Sequence, residues 1–162
     1  MKRALLLALA LGVALARLAA PAPHGREGGE SVDALTYLQS CAAGDQRLPA
    51  LVDAFERMCG MAIPGVSEED TLLLFETGVY DFTGEELFYF SLVRQYPGEG
   101  DEFIQLRLEA VYAPTEETRR FRRTDWNEGI EGDFFAHVRA SEEYAALKDA
   151  PPVDVTVHAD ET

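Results

Sequence analysis

The sequence has little positive charge and few histidines. Among 162 residues, 14 are Lys or Arg, 29 are Asp or Glu and 3 are His, which gives a formal net charge of −15. So acidic a chain repels phosphate backbones and anionic lipid headgroups, which excludes nucleic acid and membrane surfaces as general partners. The charge is compatible with a cationic partner, and it also keeps a protein soluble when no partner is involved.

Motifs for catalysis and for cofactor binding are missing as well. The sequence contains no G-x-S-x-G elbow, no Gly-rich phosphate loop and no pair of histidines at H-x-x-x-H spacing. Carboxylates are so numerous that a glycosidase-like pair of them is uninformative. We therefore predict no cofactor and favour a protein without catalytic activity.

The chain has one long apolar run, which lies at its N-terminus. A basic segment at residues 1–3 precedes the apolar residues 4–16, and both Ala14-Leu15-Ala16 and Ala20-Pro21-Ala22 fit a signal-peptidase site. These parts, in this order, are typical of a secretory signal peptide. A spanning helix needs roughly 20 apolar residues, so an uncleaved anchor is only the alternative. We expect residues 1–22 to be a signal peptide and the protein to be exported to the periplasm or the medium.

Cysteine is also scarce, since Cys41 and Cys59 are the only two. Two cysteines in an exported protein favour one disulfide, which would stabilise the fold by about 3 kcal/mol in the chain-entropy model. Both residues lie on apolar stripes of predicted helices, so two buried thiols are the alternative. Neither is expected to be a nucleophile, because the spacing is not C-x-x-C and no histidine is near in sequence.

The residues that are present predict a short lead-in over 23–30 and a single α+β domain over 31–162. We expect an N-terminal αα-hairpin, a three- to four-stranded, mostly antiparallel sheet, and a C-terminal helix and edge strand. Ser31 is the expected cap of the first helix, and Ser141 of a short helix inside the C-terminal segment. The predicted elements are helices at 31–43 and 49–59, strands at 72–80, 87–96 and 102–112, a helical segment at 134–148 and an edge strand at 153–158.

Basic residues are concentrated in one segment of this acidic chain. Four of the 14 fall within five positions, and arginine and tryptophan are both enriched among interface hot spots. Alternation along a strand would place Arg120 and Arg122 on one face. The alternative is that these arginines pair with the protein's own surplus carboxylates. The candidate binding residues are Arg119, Arg120, Phe121, Arg122, Arg123 and Trp126.

A cluster of side-chain oxygens before the C-terminal helical segment is a weaker candidate, for calcium. The EF-hand pattern fails, because Ile130 occupies the position of the invariant glycine and Ala136 that of the bidentate glutamate. The alternative is a polar loop whose last aspartate caps the following helix. The candidate calcium ligands are Asp125, Asn127, Glu131 and Asp133.

Polar side chains on two neighbouring strands are a third candidate. If the two strands pair, these side chains converge on one face of the sheet, where they would bind a small ligand or simply face solvent. The six residues are Tyr89, Ser91, Gln95, Gln105, Arg107 and Glu109.

These observations favour a non-catalytic, extracytoplasmic binding or interaction module whose partner is a protein or peptide. One alternative is an acidic inhibitor or immunity-type protein that neutralises a basic toxin or enzyme, since an acidic surface speeds the encounter with a basic protein. Another is a small secreted hydrolase with a carboxylate-based, calcium-assisted site.

Export is tested by the intact mass of the protein purified from fractionated cells of its own host. We expect the extracytoplasmic fraction to contain a species that is shorter by about 16 to 22 N-terminal residues, because cleavage follows one of the two small-x-small sites. A full-length species confined to the cytosol would contradict export.

Overall fold

The computed structural model describes residues 33–61, 71–81, 86–97, 102–122, 124–125 and 132–161. The predicted signal peptide and lead-in lie outside these ranges. The elements confirm the α+β class. They are helices α1 (Ala34–Gly44) and α2 (Leu48–Cys59), strands β1 (Leu72–Asp81), β2 (Glu86–Pro97) and β3 (Phe103–Tyr112), a 3-10 turn (Thr118–Arg120), strand β4 (Thr124–Asp125), helices α3 (Phe134–Arg139) and α4 (Glu142–Leu147), and strand β5 (Asp154–Glu161).

Helices α1 and α2 form the predicted hairpin, with one correction at its start. The N-cap of α1 is Asp33, whose Oδ1 accepts a hydrogen bond of 2.9 Å from the Thr36 amide, so the expectation that Ser31 caps this helix is wrong. A proline in the first turn begins α2 and Gly60 ends it, as predicted. Arg57 Nε donates to the Tyr37 hydroxyl at 2.7 Å and links the two helices.

The sheet is antiparallel throughout and has the order β4-β1-β2-β3-β5. Four of its strands are long, and β5 is an edge strand, as the alternating valines predict. The two-residue β4 at the opposite edge was not predicted. It pairs Asp125 with Glu76 and Thr124 with Thr77, and two residues are too few to give a periodic signal.

The core lies between the helices and one face of the sheet. Every second residue of β2 and β3 lies on this face, and the sequence indicates this alternation for β3. Phe75 and Phe90 contact each other across β1 and β2, with ring centroids 4.8 Å apart. The large, fully buried side chains include Leu38, Leu48, Leu51, Phe55, Met58, Phe75, Phe88, Phe90, Leu92, Tyr96, Leu108 and Tyr112.

One charged side chain is part of this core. Arg94 on β2 is only 2% exposed. Its Nη1 donates a hydrogen bond of 3.2 Å to the backbone carbonyl of Met58, in the last turn of α2, and its guanidinium lies 4.5 Å from the centre of the Tyr96 ring. The C-terminal end of a helix carries partial negative charge, so this position suits a buried cation.

The predicted Cys41–Cys59 disulfide is wrong, because both thiols are free and half-buried. The sequence places both cysteines on apolar stripes of the two helices, but a disulfide also requires Cα atoms within about 7 Å of each other and facing Cβ atoms. The packing of α1 on α2 sets these distances, and it leaves the two sulfur atoms unbonded.

Burial raises the pKa of the Cys59 thiol from its ordinary value of 9.0 to about 12. The folded state therefore holds this proton more tightly, so the associated stability is present below pH 9.0 and is lost as the pH rises towards 12. We expect iodoacetamide to label native Cys59 at least about a hundredfold more slowly than urea-unfolded Cys59 near neutral pH. Mass-spectrometric mapping checks this, and equal rates in the two states would contradict it.

Candidate functional site

The predicted arginine cluster forms a turn, which we call the arginine turn and define as Thr115–Phe121. Arg119 and Arg120 end its 3-10 segment, so the expectation that Arg120 and Arg122 alternate along a strand is wrong. Arg122 follows the turn and is exposed. The other two members of the predicted cluster, Arg123 and Trp126, lie outside the described residues.

Two threonines hold the arginine turn in shape. The Thr118 hydroxyl accepts a hydrogen bond of 2.7 Å from the Thr115 amide, and the Thr115 hydroxyl accepts one of 3.1 Å from the Thr118 amide. This reciprocal pair closes the turn as a capping box closes the first turn of a helix. Thr118 is 1% exposed, and the Phe121 ring packs on that of Phe88 at 5.6 Å. The exposed arginines therefore lie on a turn that is anchored to the core.

The arginines of this turn are weakly paired, although the chain is acidic. Arg119 Nε lies 3.6 Å from Glu86 Oε2, and both side chains are about half exposed. This distance exceeds that of a charge-assisted hydrogen bond, and exposed ion pairs contribute about 0–1 kcal/mol. Arg120 makes no ion pair or hydrogen bond to any described residue. Among the described residues, pairing with the protein's own carboxylates is therefore weak for Arg119 and absent for Arg120.

Residues of the arginine turn line two grooves. The first, which we call the sheet-end groove, has a volume of about 570 Å³ and is lined by Glu86, Leu87, Ala113, Pro114, Arg119 and Val153. The second, the α4 groove, has a volume of about 420 Å³ and is lined by Glu117, Arg120, Phe121, Glu142, Ala145 and Ala146. Each groove thus combines apolar walls with one arginine and at least one carboxylate.

The weaker calcium candidate is spread over several structural settings. Asp133 is the N-cap of α3, and its Oδ1 accepts hydrogen bonds of 2.9 Å from the Phe135 amide and 3.2 Å from the Ala136 amide. Capping of this helix is the alternative role that we predicted for the aspartate. Asp125 belongs to β4, while Asn127 and Glu131 lie outside the described residues. Calcium binding at these four residues stays a prediction.

The six polar residues on β2 and β3 do share one face of the sheet. Ser91 pairs with Glu109 and Gln95 with Gln105, and Arg107 Nη2 donates a hydrogen bond of 3.3 Å to the Gln105 side chain. However, Ser91 is buried, and its hydroxyl makes no hydrogen bond to any residue in the described ranges. This part of the face is therefore not the solvated side that the alternation suggested.

Two further classes of site receive no support from the described ranges. No group of three or more His, Cys, Asp or Glu side chains there could hold a metal ion. None of the helices in the same ranges is long and apolar enough to cross a membrane.

Comparison with known proteins gives no relative. No protein-family model matches the chain, and no curated protein and no solved structure matches it either.

The rigidity of the arginine turn is tested with Thr118→Val. The variant keeps the shape of the side chain but removes the hydroxyl that bonds Thr115, so we expect a loss of about 1–3 kcal/mol in the free energy of unfolding. Urea denaturation measures the loss. Thr156→Val, which removes an exposed hydrogen bond of 3.2 Å from the Thr156 hydroxyl to Asp154 on edge strand β5, is the matched control and should cost less. Equal effects of the two substitutions would contradict this role for Thr118.

Proposed function

We propose that this protein is a non-catalytic, extracytoplasmic binding module that docks a protein or peptide partner through the arginine turn. One observation carries the proposal: Arg119 is weakly paired and Arg120 unpaired within the described structure, on a core-anchored turn that lines two grooves.

Preorganisation supports this proposal. Binding normally costs free energy for ordering side chains and loops, and a turn that is already held by hydrogen bonds and core packing avoids part of this cost. Arginine is also enriched among residues that dominate interface energies. Thr118 and Phe121 fix the backbone beneath the two guanidinium groups, which need only adjust their side chains to meet a partner.

The charge on this turn sets the chemistry of the contact. A guanidinium group binds a carboxylate through two parallel hydrogen bonds when no other group occupies it. Screening limits such attraction to about 8 Å at physiological ionic strength, so Arg119 and Arg120 act on groups that have already come close. The contacted part of the partner should therefore present carboxylates next to apolar groups that fit the grooves.

The acidic inhibitor is the second candidate, and the net charge of −15 favours it. Such a protein would contact a basic toxin or enzyme through its carboxylates, and the negative field would raise the association rate at low salt. The two candidates thus place the contact on different residues, which makes them separable by charge-reversal variants.

The test is photo-crosslinking in the native host with p-benzoylphenylalanine in place of Ala146, which lines the α4 groove. We expect a specific crosslinked partner, and Arg119→Glu/Arg120→Glu should weaken binding of that purified partner at least about tenfold, because two carboxylate contacts become repulsive. Surface plasmon resonance measures the affinity.

The control variant is Arg47→Glu/Lys148→Glu, which makes the same change in net charge at two exposed side chains outside the arginine turn. It should bind the partner like the wild type. If instead both double variants weaken binding equally, the contact depends on net charge and the docking proposal is wrong. If both strengthen binding to a basic partner, the acidic inhibitor is supported.

A further inference from the structure

We infer that the sheet-end groove binds the carboxyl terminus of a peptide chain whose last residue is aliphatic. This inference rests on the proposed function, since it names the part of the partner that one of the two grooves receives.

The walls of the sheet-end groove select an aliphatic group. Leu87, Ala113, Pro114 and Val153 supply them, and Val153 is 62% exposed. Covering such a side chain removes apolar surface from water, which is the dominant favourable term in association. The volume of about 570 Å³ lies within the range of small-ligand sites and exceeds what one aliphatic residue needs.

The charged pair at the groove selects a group with both an acceptor and a donor. The closest approach of Arg119 to Glu86 is 3.6 Å, between Nε and Oε2, and the Arg119 side chain makes no hydrogen bond to any described residue, so its guanidinium group has donors to offer a carboxylate. Glu86 in turn accepts hydrogen bonds from an N–H group. A fatty acid offers no donor to Glu86, and an amine offers no acceptor to Arg119.

The last residue of a peptide carries all three features. Its α-carboxylate would meet Arg119, its backbone N–H would meet Glu86, and its aliphatic side chain would lie against Leu87 and Val153. Capture of a terminal carboxylate is an established mode of peptide recognition. Ala113 and Pro114 directly precede the arginine turn, so one core-anchored segment supplies both apolar wall and guanidinium group.

The probe is a synthetic peptide of alternating Gly and Ser that ends in Leu, with an N-terminal fluorophore and a free C-terminal carboxylate. Fluorescence polarisation measures its binding to the full mature chain. We expect saturable binding below about 1 mM and at least about tenfold weaker binding of the C-terminal amide, since the amide offers Arg119 no charge. Arg119→Gln and Val153→Asp should each weaken binding of the acid by a similar factor, whereas Arg47→Gln should not.

The other outcomes overturn the inference. If the peptide acid and the peptide amide bind equally tightly, the carboxylate has no role in binding. Free leucine that binds as tightly as the peptide makes the groove an amino-acid site. An absence of binding at about 1 mM leaves the groove without this ligand.

The two proposals fail separately. If the crosslinked partner depends on Arg120 and no peptide binds, the docking function stands and the terminus inference is wrong. If the peptide binds and no partner crosslinks, the groove chemistry stands and the docking function is wrong.

Discussion

The hydrogen bond between Arg94 and the Met58 carbonyl is the constraint on which the arrangement of helices over the sheet depends. A guanidinium group taken out of water costs several kcal/mol unless its environment replaces the lost hydration. Here a helix C-terminus and the Tyr96 ring provide that environment. The end of α2 is thus tied to β2, and α1 follows through the contact of Tyr37 with Arg57.

An arginine lies at or beside each end of β2, and the two have different roles. Arg94 lies near the C-terminal end of the strand, and Glu86, which contacts Arg119, is eight residues away at the other end, about 26 Å at the rise of an extended chain. The buried guanidinium donates to the Met58 carbonyl and lies on the Tyr96 ring, both inside the fold, so it serves stability. Among the described residues, the exposed Arg119 has one long contact and Arg120 has none, and the docking proposal rests on this difference from Arg94.

The fold was predictable where periodicity is local, and the site was not. Alternation over 104–112 and the apolar stripe of α2 specify β3 and a packed helix directly. The 3-10 turn depends on a side-chain exchange between two threonines, which no apolar pattern reports. The sheet-end groove combines residues from positions 86–87, 113–119 and 153, which the sheet brings together. The arginine cluster could be predicted from composition, because four basic residues within five positions are unusual in so acidic a chain. The disulfide prediction was wrong for the same reason that the groove was not predicted, because both depend on how distant segments pack. Helix pairing sets the distance between Cys41 and Cys59.

The net charge of this protein repels acidic groups, whereas the local positive charge of the arginine turn attracts them. Together they restrict the kind of partner that the docking proposal allows. A net charge of −15 repels an acidic protein during its approach, whereas the arginine turn attracts a carboxylate only within about 8 Å. At long range the net charge would repel a partner that is acidic overall, because the attraction of the arginine turn acts only within about 8 Å. A carboxyl terminus supplies one negative charge without making the whole partner acidic. Under the docking proposal, the long-range field and the chemistry of the sheet-end groove therefore favour the same kind of partner, a neutral or basic protein that inserts its chain terminus.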